Sequence, residues 1–154
     1  MRVLGIAPDS KQFKWALMQG VQTSPERLSL PSSDLKLPND ACEGHALLSL
    51  KRLLSTFLAE QNVEQINLLS AGSSEFRGPS ASRVKAEGIV QLVGAELEIA
   101  VGLITSQSLR SREKKFAAIT GASPEDVLNS GEKFKSELLR TAALVAWLGL
   151  IDGQ

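Results

Sequence analysis

Strand-like runs come first in this chain and helical stripes come later. The opening run Met1 to Ser10 and the run Phe13 to Met18 are short, apolar and separated by the polar turn Pro8 to Gln12, which is the pattern of a β-hairpin. A third strand is expected around Arg27 to Leu30, followed by a loop from Pro31 to Asn39 bracketed by Pro31 and Pro38. Leu47, Leu50, Leu54 and Leu58 then recur at intervals of three and four, with Leu48, Leu53 and Phe57 widening the stripe, so a core-facing helix is expected over roughly residues 40 to 61. Asp40 is its expected N-cap.

Beyond that point strands and helices alternate. Gln65 to Ser70 reads as a short buried strand closed by the turn Ala71 to Glu75. A helix is expected from Gly78-Pro79 to about Val93 with Ala81, Val84, Gly88 and Leu92 on one face, and Gly88 is expected to serve close packing. Glu98 to Ile104 is the next strand, and Thr105 or Ser106 caps a polar helix running through Ile119. Ser123 and Pro124, followed by Glu125 and Asp126, specify the start of a short helix. The final helix spans about Lys133 to Leu150, with Leu138, Ala142, Val145 and Leu148 on its sheet-facing side. Such an order predicts one α/β domain over residues 1–154, with a mixed five-stranded sheet of three antiparallel and two parallel strands flanked by helices.

Composition narrows the classes further. The chain has 154 residues, 43% of them hydrophobic, enough to bury one core. Its formal net charge is zero, so any nucleic-acid or membrane-surface role requires a local patch. A single cysteine, Cys42, excludes an intramolecular disulfide, and a single histidine, His45, excludes a histidine-rich metal site. The longest apolar run, Ala142 to Leu150, is too short to span a bilayer, which leads to the expectation of a cytoplasmic protein with no membrane partner.

The order of elements resembles the ribonuclease H-like fold, and more closely its RuvC-type resolvase branch. Gly5-Ile6-Ala7-Pro8-Asp9-Ser10 is similar to that family's G-I-D-P-G-S segment, and Lys135 to Ala146 resembles its terminal acidic helix. The resemblance implies a dimeric nuclease whose carboxylates hold Mg²⁺ or Mn²⁺ at a DNA junction. This chain departs from it at the ligand positions. Ala7 replaces the first-strand aspartate, Ser70 or Ala71 stands where the family has a glutamate, and Leu138 and Thr141 align with the paired aspartates. Hard divalent cations need several carboxylate oxygens, which these side chains do not carry. A relocated set would be Asp9, Glu75 and Glu137.

Gly72 to Pro79 combines small residues with Arg77 before a helix start, an arrangement that can receive a phosphate. Arg83 and Lys85 follow it, and Arg110, Arg112, Lys114 and Lys115 form the most basic segment, supplemented by Lys133, Lys135 and Arg140. Together these residues are the candidate DNA or RNA contacts. His45 near a helix start fits a capping or solvent-facing role, while Trp15 and Trp147 sit in apolar contexts that favour the core. Three readings follow: a non-catalytic nucleic-acid- or protein-binding module, a metal-dependent nuclease with relocated carboxylates, and a structural homodimer subunit.

Overall fold

The computed structural model describes residues 1–9, 12–30, 34–36, 43–70 and 81–151. Strand β1 (Arg2–Pro8) pairs antiparallel with β2 (Gln12–Val21), placing Ile6 opposite Trp15 and Ala7 opposite Lys14. The turn between them is tied by Asp9, whose amide donates to the Gln12 carbonyl and whose carboxylate accepts from the Gln12 amide, both at 2.9 Å. Strand β3 (Ser24–Leu28) continues the meander, starting and ending earlier than its apolar residues suggested. The loop expected from Pro31 contains a further short strand, β4 (Asp34–Lys36), on the Gln12 end of β2.

Helix α1 (Glu43–Glu60) leads to β5 (Gln65–Leu69), α2 (Ala81–Glu96) and β6 (Ala100–Ile104). The main sheet path is β3-β2-β1-β5-β6, with β5 parallel to β1 and β6 parallel to β5. These five strands form the expected mixed sheet, and β4 is an addition at its margin. The remaining chain is helical: α3 (Ser106–Glu113), α4 (Phe116–Thr120), α5 (Pro124–Leu128) and α6 (Glu137–Leu148).

Strand periodicity divides the core in two. Leu4, Ile6, Phe13, Trp15 and Leu17 face one layer with Leu50, Leu54, Leu58, Val90 and Val93, while Val3, Ala7, Ala16 and Met18 face the other with Leu109, Phe116 and α6. Both tryptophans are buried; Trp15 stacks on Phe57, and Trp147 packs against Phe116. Among the described residues no helix is long and apolar enough to cross a membrane.

Helix α6 is clamped against the sheet centre. A β-carbon on Gly5 would overlap the Ala142 carbonyl oxygen and the Ala146 amide nitrogen, so only glycine lets helix backbone approach strand backbone this closely. The buried Asn67 of β5 donates to the Val145 carbonyl at 3.0 Å, satisfying one of the acceptors left over at the helix end, and accepts from Gln65 at 2.9 Å. The Trp147 indole donates to the Gln22 carbonyl at 3.0 Å.

Helix α2 buries Ala86, Val90 and Val93, so the expected face of Val84 and Leu92, 50% and 46% exposed, is its outer one. It carries apolar residues on both sides, so periodicity alone could not choose between them. Gly88 has open space beyond its α-carbon and packs closely against no described residue of its own chain. Leu48 and Leu53 of α1 are exposed. The single helix expected through Ile119 is broken at Lys114 and Lys115 into α3 and α4, because α3 buries only Leu109 and packing, which holds most helices in place, is slight there. The last helix begins at Glu137, four residues later than expected, capped by Ser136. Asp40, Cys42 and the turn from Ala71 lie outside the described residues.

Replacing Gly5 with alanine is expected to destabilise the fold by about 1–3 kcal/mol or more, since the clash is with backbone that cannot rotate away. At this chain length each kcal/mol lowers the unfolding midpoint by about 2–4 °C, which calorimetry would read.

Candidate nucleic-acid interface

The parallel strands β1, β5 and β6 end at a common edge, the place where open α/β sheets form ligand crevices. Helix α3 starts there directly after β6, with Thr105 accepting from the Ser108 amide at 3.1 Å. Helix α6 also starts there, because it runs from the Ala7 end of β1 toward Val3, whose side chain lies against Gly149. Ser136 caps α6 by accepting from the Leu139 amide at 3.1 Å.

At this edge Ala7 is fully buried in an apolar cluster that includes Leu109, Phe116 and Trp147, with Leu69, Ile104 and Leu138 packed against it. The Ser70 amide donates to the Ile104 carbonyl at 2.8 Å. The Thr141 hydroxyl donates back to the Glu137 carbonyl at 2.9 Å. Asp9 is engaged in its turn, and Glu137 is exposed in the first turn of α6. Glu75, Ala71 and Arg77 fall outside the described residues. Among the described residues no three histidines, cysteines, aspartates or glutamates come together as a metal site.

The basic residues divide between layers. Arg83 and Lys85 lie on α2, over one face of the sheet, and α3 lies over the other. Arg83 is 3.8 Å from Glu87, and Lys85 reaches both carboxylate oxygens of Glu43 at 2.8 Å. Within α3, Arg110 and Arg112 are two positions apart, about 200° around the helix, and so cannot share a face. Arg110, Lys114 and Lys115 are exposed. Arg140 is not available as a phosphate contact: it bonds Glu113 of α3 at 2.5 Å and Glu125 of α5 at 2.6 Å, joining three helices. His45 is exposed near the start of α1.

No protein-family model matches the sequence, and no curated protein matches it. Solved structures do match in three dimensions. The RuvC of T. thermophilus in complex with its Holliday junction substrate superposes with a TM-score of 0.76 at 14% identity, over 96% of this chain and 90% of that one. The chain has a RuvC-type ribonuclease H-like fold. A second Thermus thermophilus RuvC structure matches with a TM-score of 0.70 at 14% identity, over 96% and 92% of the two chains. The yeast mitochondrial Holliday junction resolvase matches with a TM-score of 0.59 at 15% identity, over 94% of this chain and 75% of that one. With identities this low, the likeness is one of RuvC-type fold.

Reading the sequence missed Lys14 and Arg27 as members of the basic surface. The available signal was a lysine between Phe13 and Trp15 in an otherwise apolar run, an unusual neighbourhood for a charge.

The Arg140 cluster has a pH signature. The Arg140 hydrogen bond, with a backbone hydrogen bond, holds the Glu125 carboxyl below its usual range. Burial acts to lower the Arg140 pKa, but the hydrogen bonds it donates to Glu113 and Glu125 outweigh it and raise it. The Glu125 contribution is therefore present above the pKa of the unfolded chain and is lost as pH falls through the lower folded value. Both partners are partly solvated, so about 1 kcal/mol is at stake. Unfolding midpoints between pH 6 and pH 3 should fall less steeply for Arg140→Met than for the unaltered protein.

Proposed function

We propose that this protein is a non-catalytic module of RuvC-type fold that binds branched nucleic acid. The observation that carries the reading is the end of β1, where Ala7 lies fully buried among apolar side chains at the position the resemblance gives to a carboxylate. Ala7, Ser70, Leu138 and Thr141 do not fit a hard divalent cation, which takes carboxylate and other oxygen ligands in number. Likeness to a RuvC bound to a Holliday junction supports DNA as the partner. Exposed Arg110 on α3, with Lys114 and Lys115 just beyond its last turn, supply charge for phosphate contacts.

Labelled four-way junctions, linear duplex and RNA, titrated across a salt series with and without Mg²⁺ or Mn²⁺, test this directly. Salt-sensitive binding is expected with no product on a denaturing gel. Cleavage abolished by Asp9→Asn or Glu137→Gln would instead establish a nuclease with relocated ligands.

A second property is supported by α2. Its exposed Ala81, Val84, Gly88 and Leu92 form an apolar stripe at helical spacing, suited to a second copy of the chain, with Gly88 allowing close approach. Sedimentation equilibrium should give a dimer for the unaltered chain and a folded monomer for Leu92→Glu. A monomer at every concentration in the unaltered chain would exclude this surface as a self-association site.

A further inference from the structure

A cleft of about 520 Å³ opens between the outer part of the meander and the segment that leads into α6. Lys14 and Arg27 line it from the strands, and Lys133, Lys135 and the capping Ser136 line it from the other side. Glu132 is the sole acid among the lining residues. Ala16 and Leu139 add apolar wall on the α6 side of the sheet, and the volume falls in the range of small-ligand sites.

Arg27 is the least ordinary member. Its guanidinium donates to the Asn129 side-chain oxygen at 3.2 Å and lies 5.5 Å from the centre of the Phe134 ring. No carboxylate among the described residues pairs with it. Partial burial lowers its pKa, yet a guanidinium remains charged and keeps donors in a fork suited to an oxyanion. Lys133 and Lys135 are exposed and likewise make no ion pair with a described residue. Lys14 stands cross-strand from Ala7, so the cleft adjoins the sheet edge already described. Cations outnumber acids here in a chain whose net charge is zero.

We infer that the cleft between β2, β3 and the start of α6 is a phosphate-binding site that takes one nucleotide unit, with Arg27, Lys14, Lys133 and Lys135 on the phosphate and the apolar wall against the sugar or base. The phosphate belongs to a bound strand or to a free nucleotide. The strand case rests on the proposed nucleic-acid binding; the free case does not.

Junction DNA, a mononucleotide and inorganic pyrophosphate are titrated separately against the full chain and against Lys133→Gln/Lys135→Gln. Both substitutions are at exposed positions and should leave the unfolding midpoint unchanged. Arg27→Lys, which keeps the charge and loses the fork, is the second variant, with circular dichroism confirming that it folds. If the site holds a strand, the slope of log K against log salt falls by up to about 1 in the double variant, near 0.9 for the one phosphate the site holds. If it holds a free phosphate, pyrophosphate or the mononucleotide binds the unaltered chain and binds at least about tenfold more weakly to both variants, a loss of about 1.4 kcal/mol. That result with no junction binding would support the cleft and overturn the nucleic-acid module. Junction binding with an unchanged slope, and no competition by pyrophosphate, would overturn the cleft and leave the module standing. Failure of all three ligands to bind would overturn both.

Discussion

The rest of the structure depends on the backbone-to-backbone approach of α6 to β1 at Gly5. With no β-carbon there, the carbonyl of Ala142 and the amide of Ala146 settle against the central strand, and Ala142 through Trp147 become buried. Dispersion contacts are individually small but numerous at such a distance. Two directional bonds set how far along the strand the helix lies: Asn67 to the Val145 carbonyl and Trp147 to the Gln22 carbonyl. Each satisfies a buried polar group that would otherwise be costly to leave unpaired.

That packing determines what the sheet edge can hold. The start of α6 is carried to the end of β1, and Ala7 is packed into an apolar cluster there. An unpaired carboxylate in an apolar cluster is strongly disfavoured. The methyl at position 7 therefore belongs with its neighbours Leu109, Phe116 and Leu138 as one consistent apolar set.

Charge is organised locally in a chain that is neutral as a whole. Arg140 is committed to Glu113 and Glu125, holding α3, α5 and α6 together, and Lys85 is committed to Glu43. Arg27 has only an amide and an aromatic ring as described partners. Counting lysines and arginines along the sequence could not separate these groups, because an ion pair between Arg140 and Glu113 joins residues 27 positions apart.

Much of the fold was legible in order and spacing. The hairpin, the Leu50, Leu54 and Leu58 stripe, the parallel strands and the Ser123-Pro124 helix start rest on local rules of periodicity, capping and turn chemistry, and these operate within a few residues. Absence of acids at Ala7 and Leu138 is likewise a property of the chain alone. Tertiary structure decided which side of α2 is buried, since two apolar stripes compete and only contact with α1 and the sheet selects Ala86, Val90 and Val93. It also decided that Gly5 and not Gly88 serves close packing within the chain, and that Lys14 and Arg27 face the segment before α6. Those outcomes depend on residues from tens to more than a hundred positions apart, and spacing along a chain carries no information about distances that only folding creates.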